Sequence, residues 1–276
     1  MSIGHRFRSV LSLVSRLPVA VHGKPDYTAA AFFIPFIGLL AGILACAGTL
    51  AGLALFGPGL LAALCGILIQ YLAFNLFHFD GLLDSADAAG AFGDHEVKRA
   101  ILKDPRIGAF AMFAGFMLLA GRAAASVELL EYGNMLPWAA LLTAPAVGRL
   151  AAIQLTWVCA PASATGLAAA LGRLSRIQAI AGYISGALPG AILAGHAWAQ
   201  TDRALSTLTN DMLAILVCTV AWLLAGRLLA WLVGTAVGNW YSRHIGGFTG
   251  DAMGAALELG EVAMLLSAVV LGRYAF

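Results

Sequence analysis

Long apolar runs separated by short polar links set the rhythm of this chain. The runs fall at about 29–56, 58–79, 107–126, 136–160, 177–198, 212–234 and 252–271. Each is long enough, at about 20 residues, to cross a bilayer as a helix. Ahead of them, residues 3–17 place Ile3, Phe7, Val10, Leu11 and Val14 on one helical side, with Arg6, Arg8 and Arg16 elsewhere. That amphipathic pattern suits a helix lying on an anionic membrane surface, and Pro18 ends it. In the first long run, Gly38-x-x-x-Gly42 offers a close-packing seam. The pattern predicts an all-α fold: a polytopic integral membrane helical bundle of about seven transmembrane helices with an N-terminal interfacial helix. It reads as one transmembrane domain over 1–276, with an interfacial segment at 1–25, a polar segment at 80–106 and a Gly-rich loop at 241–251.

Composition removes the soluble alternative. Hydrophobic residues make up 61% and charged residues 11%, against roughly 25% charged in soluble domains. The four cysteines, Cys46, Cys65, Cys159 and Cys218, stand singly in apolar segments and read as packing residues. No cleavable signal pattern is expected in 1–24, which is basic and short of apolar run. Eleven basic residues fall in the links on the N-terminal side: Arg6, Arg8, Arg16, Lys24, Lys98, Arg99, Lys103, Arg106, Arg173, Arg176 and Arg243. Only Arg203 and Arg273 fall opposite, so the N-terminus and both polar knots are expected on the cytoplasmic side. No nucleic-acid partner is expected. Oligomeric state is not fixed, and a homo-oligomer is allowed.

Residues 80–106 hold ten of the thirty formal charges. On a helix Asp80, Asp84 and Asp87 stand at i, i+4 and i+7 and share one face with no cation inside the repeat. Such a face is costly unless a cation binds it. Mg²⁺ is the simplest choice, because it is held by a few carboxylates and substrate phosphates. Asp104 reads as a further ligand or a general base, and Arg106 as a bidentate phosphate contact. His78 reads as a base or a supporting donor. In the second knot, Gly246, Gly247 and Gly250 promise close backbone approach and free N–H groups for phosphate around Thr249. Asp251 is expected as a helix N-cap and a completing metal ligand. Glu258 and Glu261 continue an acidic stripe behind it. Arg122, Arg149 and Arg227 are intramembrane cations that need these acids as partners, and Arg149 could equally reach a phosphate.

Taken together, the motifs His78-Phe79-Asp80-Gly81-Leu82-Leu83-Asp84-Ser85-Ala86-Asp87, Lys103-Asp104-x-Arg106-Ile107-Gly108 and Gly246-Gly247-x-Thr249-Gly250-Asp251 with Gly254-Ala255 resemble the cobalamin synthase family, also called adenosylcobinamide-GDP ribazoletransferase. Ser15-Arg16-Leu17-Pro18-Val19 and Pro35-x-x-Gly38 fit the same pattern, so the likeness spans nearly the whole chain. Pro105 stands where the family pattern has a serine, and the stretch 161–172 lacks an arginine ahead of Gly166-Leu167. The resemblance implies a bacterial inner-membrane transferase that joins adenosylcobinamide-GDP to α-ribazole, or its 5′-phosphate, and releases GMP with Mg²⁺. Asp80, Asp84, Asp87 and Asp251 would then bind metal. Asp104 or His78 would act as base, with Arg106, Arg149, Gly246, Gly247 and Thr249 at phosphate. Two other readings compete: a CDP-alcohol phosphotransferase, whose Asp-x-x-Asp-Gly-x-x-Ala-Arg run is absent, and a cation- or proton-coupled transporter, which tends to hold its acids near the bilayer midplane.

Overall fold

The structure, a computed structural model, describes residues 1–165, 169, 171, 174–199 and 211–275. Gly166 and Leu167, with the Arg173 and Arg203 of the sidedness argument, lie outside the described residues. Helix α1 (Ile3–Val14) leads into α2 (Ala30–Phe56), α3 (Leu60–Gln70), a π-helical turn (Tyr71–Asn75) and α4 (Leu76–Gly90). Then come the short α5 (His95–Ile101), α6 (Ala109–Glu131), α7 (Leu136–Leu155), α8 (Arg176–Ala199), α9 (Asp211–His244) and α10 (Gly250–Ala275). Seven helical rods are long and apolar enough to cross a bilayer, with α3, the π turn and α4 forming one of them, Leu60–Gly90. The chain is a multi-pass membrane protein. Its seven spans match the number predicted from hydropathy; the last turns of α9 run ten residues further than the apolar run itself.

Helix α7 is the axle, packed against α2, α8, α9 and α10. Lipid tails give helices no hydrophobic reason to associate, so close backbone contact through small residues must do it. The Gly38-x-x-x-Gly42 seam behaves so: a Cβ at Gly38 would lie 2.5 Å from the Ala146 Cα, and one at Gly42 would lie 2.8 Å from the Leu142 Cα. On the other side of α7, Gly148 faces Gly260 and the Leu257 carbonyl of α10.

Helix α1 does not leave its apolar side to lipid. Val10, Leu11 and Val14 are buried and Phe7 meets Phe33 and Phe36 of α2 edge-on, while Ile3 stays exposed. The Arg16 N–H then donates to the Ala73 carbonyl at 2.7 Å, which ties the end of this segment to the π turn. The four cysteines are free thiols, as expected.

Gly38→Val is expected to abolish the folded, detergent-extractable protein, because the added carbon meets α7 backbone rather than a movable side chain. Gly121→Ala, where a Cβ has nothing within 4 Å, should leave the size-exclusion profile unchanged and stabilise by about 0.5–1 kcal/mol.

Candidate active site

The acidic repeat continues the second span without a break. Along α4, Asp80, Asp84 and Asp87 line a cleft of about 270 Å³ together with Lys103, Asp104 and Arg106 of the link to α6. Helix α10 comes down on the same rod. A Cβ at Gly81 would lie 2.7 Å from the Asp251 Cα, and one at Gly254 would lie 2.5 Å from the His78 carbonyl, so only glycine permits this approach. The result places the carboxylates of Asp80, Asp87 and Asp251 within electrostatic reach of Asp84. Among the described residues, no arginine, lysine or histidine forms an ion pair with any of the four.

The four are not equivalent. Asp87 accepts from the Gly108 N–H (2.7 Å) through Oδ2 and from the Ala111 N–H (2.9 Å) through Oδ1. It caps α6 from 21 residues away and satisfies two of the four orphan donors of that helix. The metal ligand expected here therefore carries a structural task as well: two of about four lone-pair sites of its carboxylate hold α6. Asp251 is not the N-cap of its helix either. The Thr249 hydroxyl accepts from the Ala252 N–H (3.4 Å) and donates to the Asp251 Oδ2 (3.1 Å), so Thr249 caps and steers the carboxylate instead of waiting for phosphate.

The glycine loop departs from expectation for a similar reason. The N–H groups of Ile245, Gly246 and Gly247 all point to the Tyr241 carbonyl, closing the end of α9. Those of Gly246 and Gly247 are not open to phosphate. Gly246 and Gly247 adopt φ of 84° and 153°, and a Cβ on Gly247 would lie 2.5 Å from the Ala162 Cα. Phe248 then pairs with the 160s strand-fashion, N–H to the Ala160 carbonyl at 2.8 Å. Glycine here serves a turn and a close contact.

Asp104 and Arg106 hold each other. Arg106 donates through Nη2 to Oδ2 at 2.5 Å and through Nε to Oδ1 at 2.9 Å. Those bonds, with the Arg106 backbone N–H, keep the Asp104 carboxyl at about 2, a poor proton acceptor while the pair lasts. The Arg106 side chain is 86% exposed, so water and salt screen the pair and it adds little to stability.

Two further hollows follow in series from the acidic cleft. One, lined by Arg99, Lys103, Ser163, Thr249 and Asp251, shares Lys103 with it. The other is an apolar cavity lined by Val14, His78, Arg149 and Asp251, and it shares Asp251 with the cationic hollow. Arg99 is positioned by its Nε bond to the Ile245 carbonyl (2.7 Å), and the neighbouring His95 Nε2 lies 2.9 Å from the Arg243 carbonyl. Buried Lys98 donates to the Ala88 and Ala91 carbonyls and closes the C-terminus of α4. None of these three was legible as more than part of a basic link.

Deeper in the bundle lies a sealed charge network. Glu261 accepts from Arg122 (2.8 Å) and Arg149 (3.1 Å), from Gln70 (2.7 Å) and from Asn75 (3.1 Å). Glu258 accepts from Tyr71 (2.5 Å) and Asn75 (3.0 Å), with Arg122 at 3.8 Å. The π turn makes this convergence feasible. At 3.6 residues per turn Gln70 and Asn75 would point about 140° apart, whereas both reach Glu261 across the wider turn. Glu258 and Glu261 thus satisfy the intramembrane arginines rather than backing the acidic cleft. Arg149, expected at phosphate, has both terminal nitrogens engaged by Glu261, Pro145 and Asn75. Arg227 finds no acid among the described residues and stands near Tyr183.

Comparison with known proteins adds a family match. The family described as cobalamin-5-phosphate synthase matches residues 6–269. A Rhizobium etli adenosylcobinamide-GDP ribazoletransferase is 31% identical over 264 residues, covering 92% of each chain. Its counterpart in Pseudomonas fluorescens is 34% identical over 268 residues, 94% of this chain and 97% of the relative. One from Halorubrum lacusprofundi is 31% identical over 278 residues, 95% and 96% of the two chains. No solved structure matches.

Glu261→Gln leaves two buried arginines with one fewer counter-charge and is expected to cost about 3–5 kcal/mol, read as a lowered unfolding midpoint in detergent. Glu128→Gln, which breaks the exposed pair with Arg273, should leave that midpoint essentially unchanged, because solvent screens the pair.

Proposed function

Because this chain belongs to the cobalamin-5-phosphate synthase family, we propose that it joins adenosylcobinamide-GDP to α-ribazole or α-ribazole 5′-phosphate and releases GMP. The observation that carries this reading is the cluster of carboxylates without cations, bordered by exposed basic side chains at one end of the bundle. Unlike the glutamates below it, this cluster has no cationic partner among the described residues, and the counter-ion of a diphosphate would supply one.

In the transfer, a ribose hydroxyl of the acceptor attacks the phosphorus that carries the cobinamide, and the bridging oxygen leaves with GMP. Mg²⁺ suits the donor set: hard carboxylate oxygens from Asp80, Asp84 and Asp251 on separate turns, with no ready-made cage of three among the described residues. Such an ion keeps several waters and takes its remaining ligands from phosphate. When bound, it would neutralise charge on the diphosphate oxygens. The chain's own residues orient the rest. Arg106 exchanges its weak pair with Asp104 for phosphate oxygens, a charge-assisted contact of the bidentate kind. Lys103 and Arg99 face the neighbouring phosphate from the cationic hollow. His78 keeps a buried Nε2 without a partner beside Asp251, free for a hydrogen bond with the incoming hydroxyl. Positioning and electrostatics are the main catalytic resources of such a transfer.

The eleven-to-two distribution of basic residues supports a cytoplasmic-facing site in the bacterial inner membrane. The sealing of Glu258 and Glu261 by Arg122 and Arg149 argues against a transporter whose mid-bundle acids carry an ion.

Purified protein in detergent, given adenosylcobinamide-GDP, α-ribazole and Mg²⁺, is expected to release GMP. Chelation should stop the release and added Mg²⁺ restore it. Asp84→Asn is expected to lower turnover at least a thousandfold, about 4 kcal/mol or more, while insertion and elution volume stay normal. Near-normal turnover would remove Asp84 from the metal site.

A further inference from the structure

Among the described residues, the buried network takes up Arg122 and Arg149 and leaves Arg227 without an ion pair. Arg227 stands half-buried within the apolar run of α9. A guanidinium keeps its proton inside a protein, and a charge held within a span needs a partner. The chain offers little choice of one. Between Glu131 and Asp251 the sequence holds two acids, Asp202 and Asp211. Asp211 opens α9, about 24 Å of helix before Arg227, and Asp202 lies outside the described residues.

Helix α8 sets the surroundings of Arg227. Tyr183 reaches across to α9, where its hydroxyl donates to the Leu223 carbonyl at 2.8 Å, and a Cβ on Gly226 would strike that hydroxyl. Arg176 stands two helical turns before Tyr183 on the same face of α8. It therefore overhangs the same crevice, close enough to Arg227 for the two charges to repel. Its guanidinium lies over the Trp157 ring, 5.4 Å from the centroid, and it too has no ion pair among the described residues. Neither arginine lines the acidic cleft, the cationic hollow or the apolar cavity. The crevice opens outward instead: Leu224, Leu228 and Trp231 of α9 and Ile184 of α8 are exposed on the face that meets the bilayer. Trp231 follows Arg227 by one turn, and such amphipathic rings settle at headgroup level.

Two positive charges without a carboxylate, beside apolar walls open to lipid, suit a ligand with an anionic head and an acyl tail. Phosphate oxygens match the guanidinium fork. A zwitterionic headgroup would bring its own cation into a crevice that is already cationic. We infer that the α8–α9 crevice binds an anionic phospholipid, its phosphodiester held between Arg176 and Arg227 and its acyl chains running down over Ile184 and Leu224. Basic pockets between spans near the membrane surface recognise headgroups in this way. Arg227 reaches the phosphate by laying its apolar stem along the helix and extending its head toward the end where α8 begins. The site stands apart from the proposed transferase reading, and its occupancy is read without turnover.

Native mass spectrometry of the full-length protein in detergent, titrated with phosphatidylglycerol, tests it. The wild type is expected to retain one such lipid and to bind phosphatidylcholine of the same acyl chains about tenfold more weakly. Arg227→Gln should weaken phosphatidylglycerol binding by about tenfold, as the loss of hydrogen bonds to a charged group does, while the elution volume stays unchanged. Arg176→Gln should act in the same direction. Inorganic phosphate in excess should displace none of the lipid, because it lacks the acyl chains. Equal retention of the two lipids or undiminished binding in a folded Arg227→Gln protein would overturn the assignment. Displacement by inorganic phosphate would also overturn it and mark a site for a soluble anion. Should Arg227→Gln not fold, Arg176→Gln and the lipid preference of the wild type decide.

Discussion

Two guanidinium groups and two carboxylates enclosed in an apolar bundle cannot stand apart, and that necessity organises the molecule. Arg122 on α6 and Arg149 on α7 are buried at 2% and 0% exposure, and Glu258 and Glu261 on α10 at 0%. An isolated charge at that depth is expensive, so these helices are held in the one register that pairs them. Asp251 lies seven residues before Glu258, two helical turns along the same face. Once the glutamates meet the arginines, Asp251 must face α4, and the glycines at 81 and 254 let it come close. The register of α10 against α4 is thus decided below the site and read out within it.

Two polar levels follow, with opposite properties. In the lower one every charge has a partner inside the chain, and amide or phenol groups from Gln70, Tyr71 and Asn75 satisfy the remaining lone pairs. Of its arginine nitrogens only the two Nε atoms lack a partner. In the upper one, Asp80, Asp84 and Asp251 repel one another across a cleft whose cations sit at the rim. Stability belongs to the first arrangement and binding to the second, and α4 with the π turn links them.

Hydropathy made the spans, the glycine seam of α2 and the shared face of Asp80 and Asp84 legible, because each depends on periodicity along one helix. What escaped depends on partners far apart in sequence. Asp87 caps a helix that begins 22 residues later, and the arginines chose Glu258 and Glu261 over other acids. The glycine loop misled because a left-handed turn and a phosphate nest use the same residues; only the Tyr241 carbonyl separates them. Gln70 and Asn75 were the overlooked clue, since amides inside an apolar run mark a polar interior.

The widened turn at Tyr71–Asn75 has a consequence for how this chain can vary. It works as a gear between two stretches of one rod: the lower teeth mesh with Glu258 and Glu261, the upper carry Asp80 and Asp84. Straightening this turn into an ordinary helix at unchanged length would swing the upper stretch by about 100°, carrying its acids toward the lipid while hydropathy stayed almost the same. Losing one residue there would instead set Gln70 and the present Asn75 at i and i+4 of an ordinary helix, on one side, so the extra residue and the wide turn belong together.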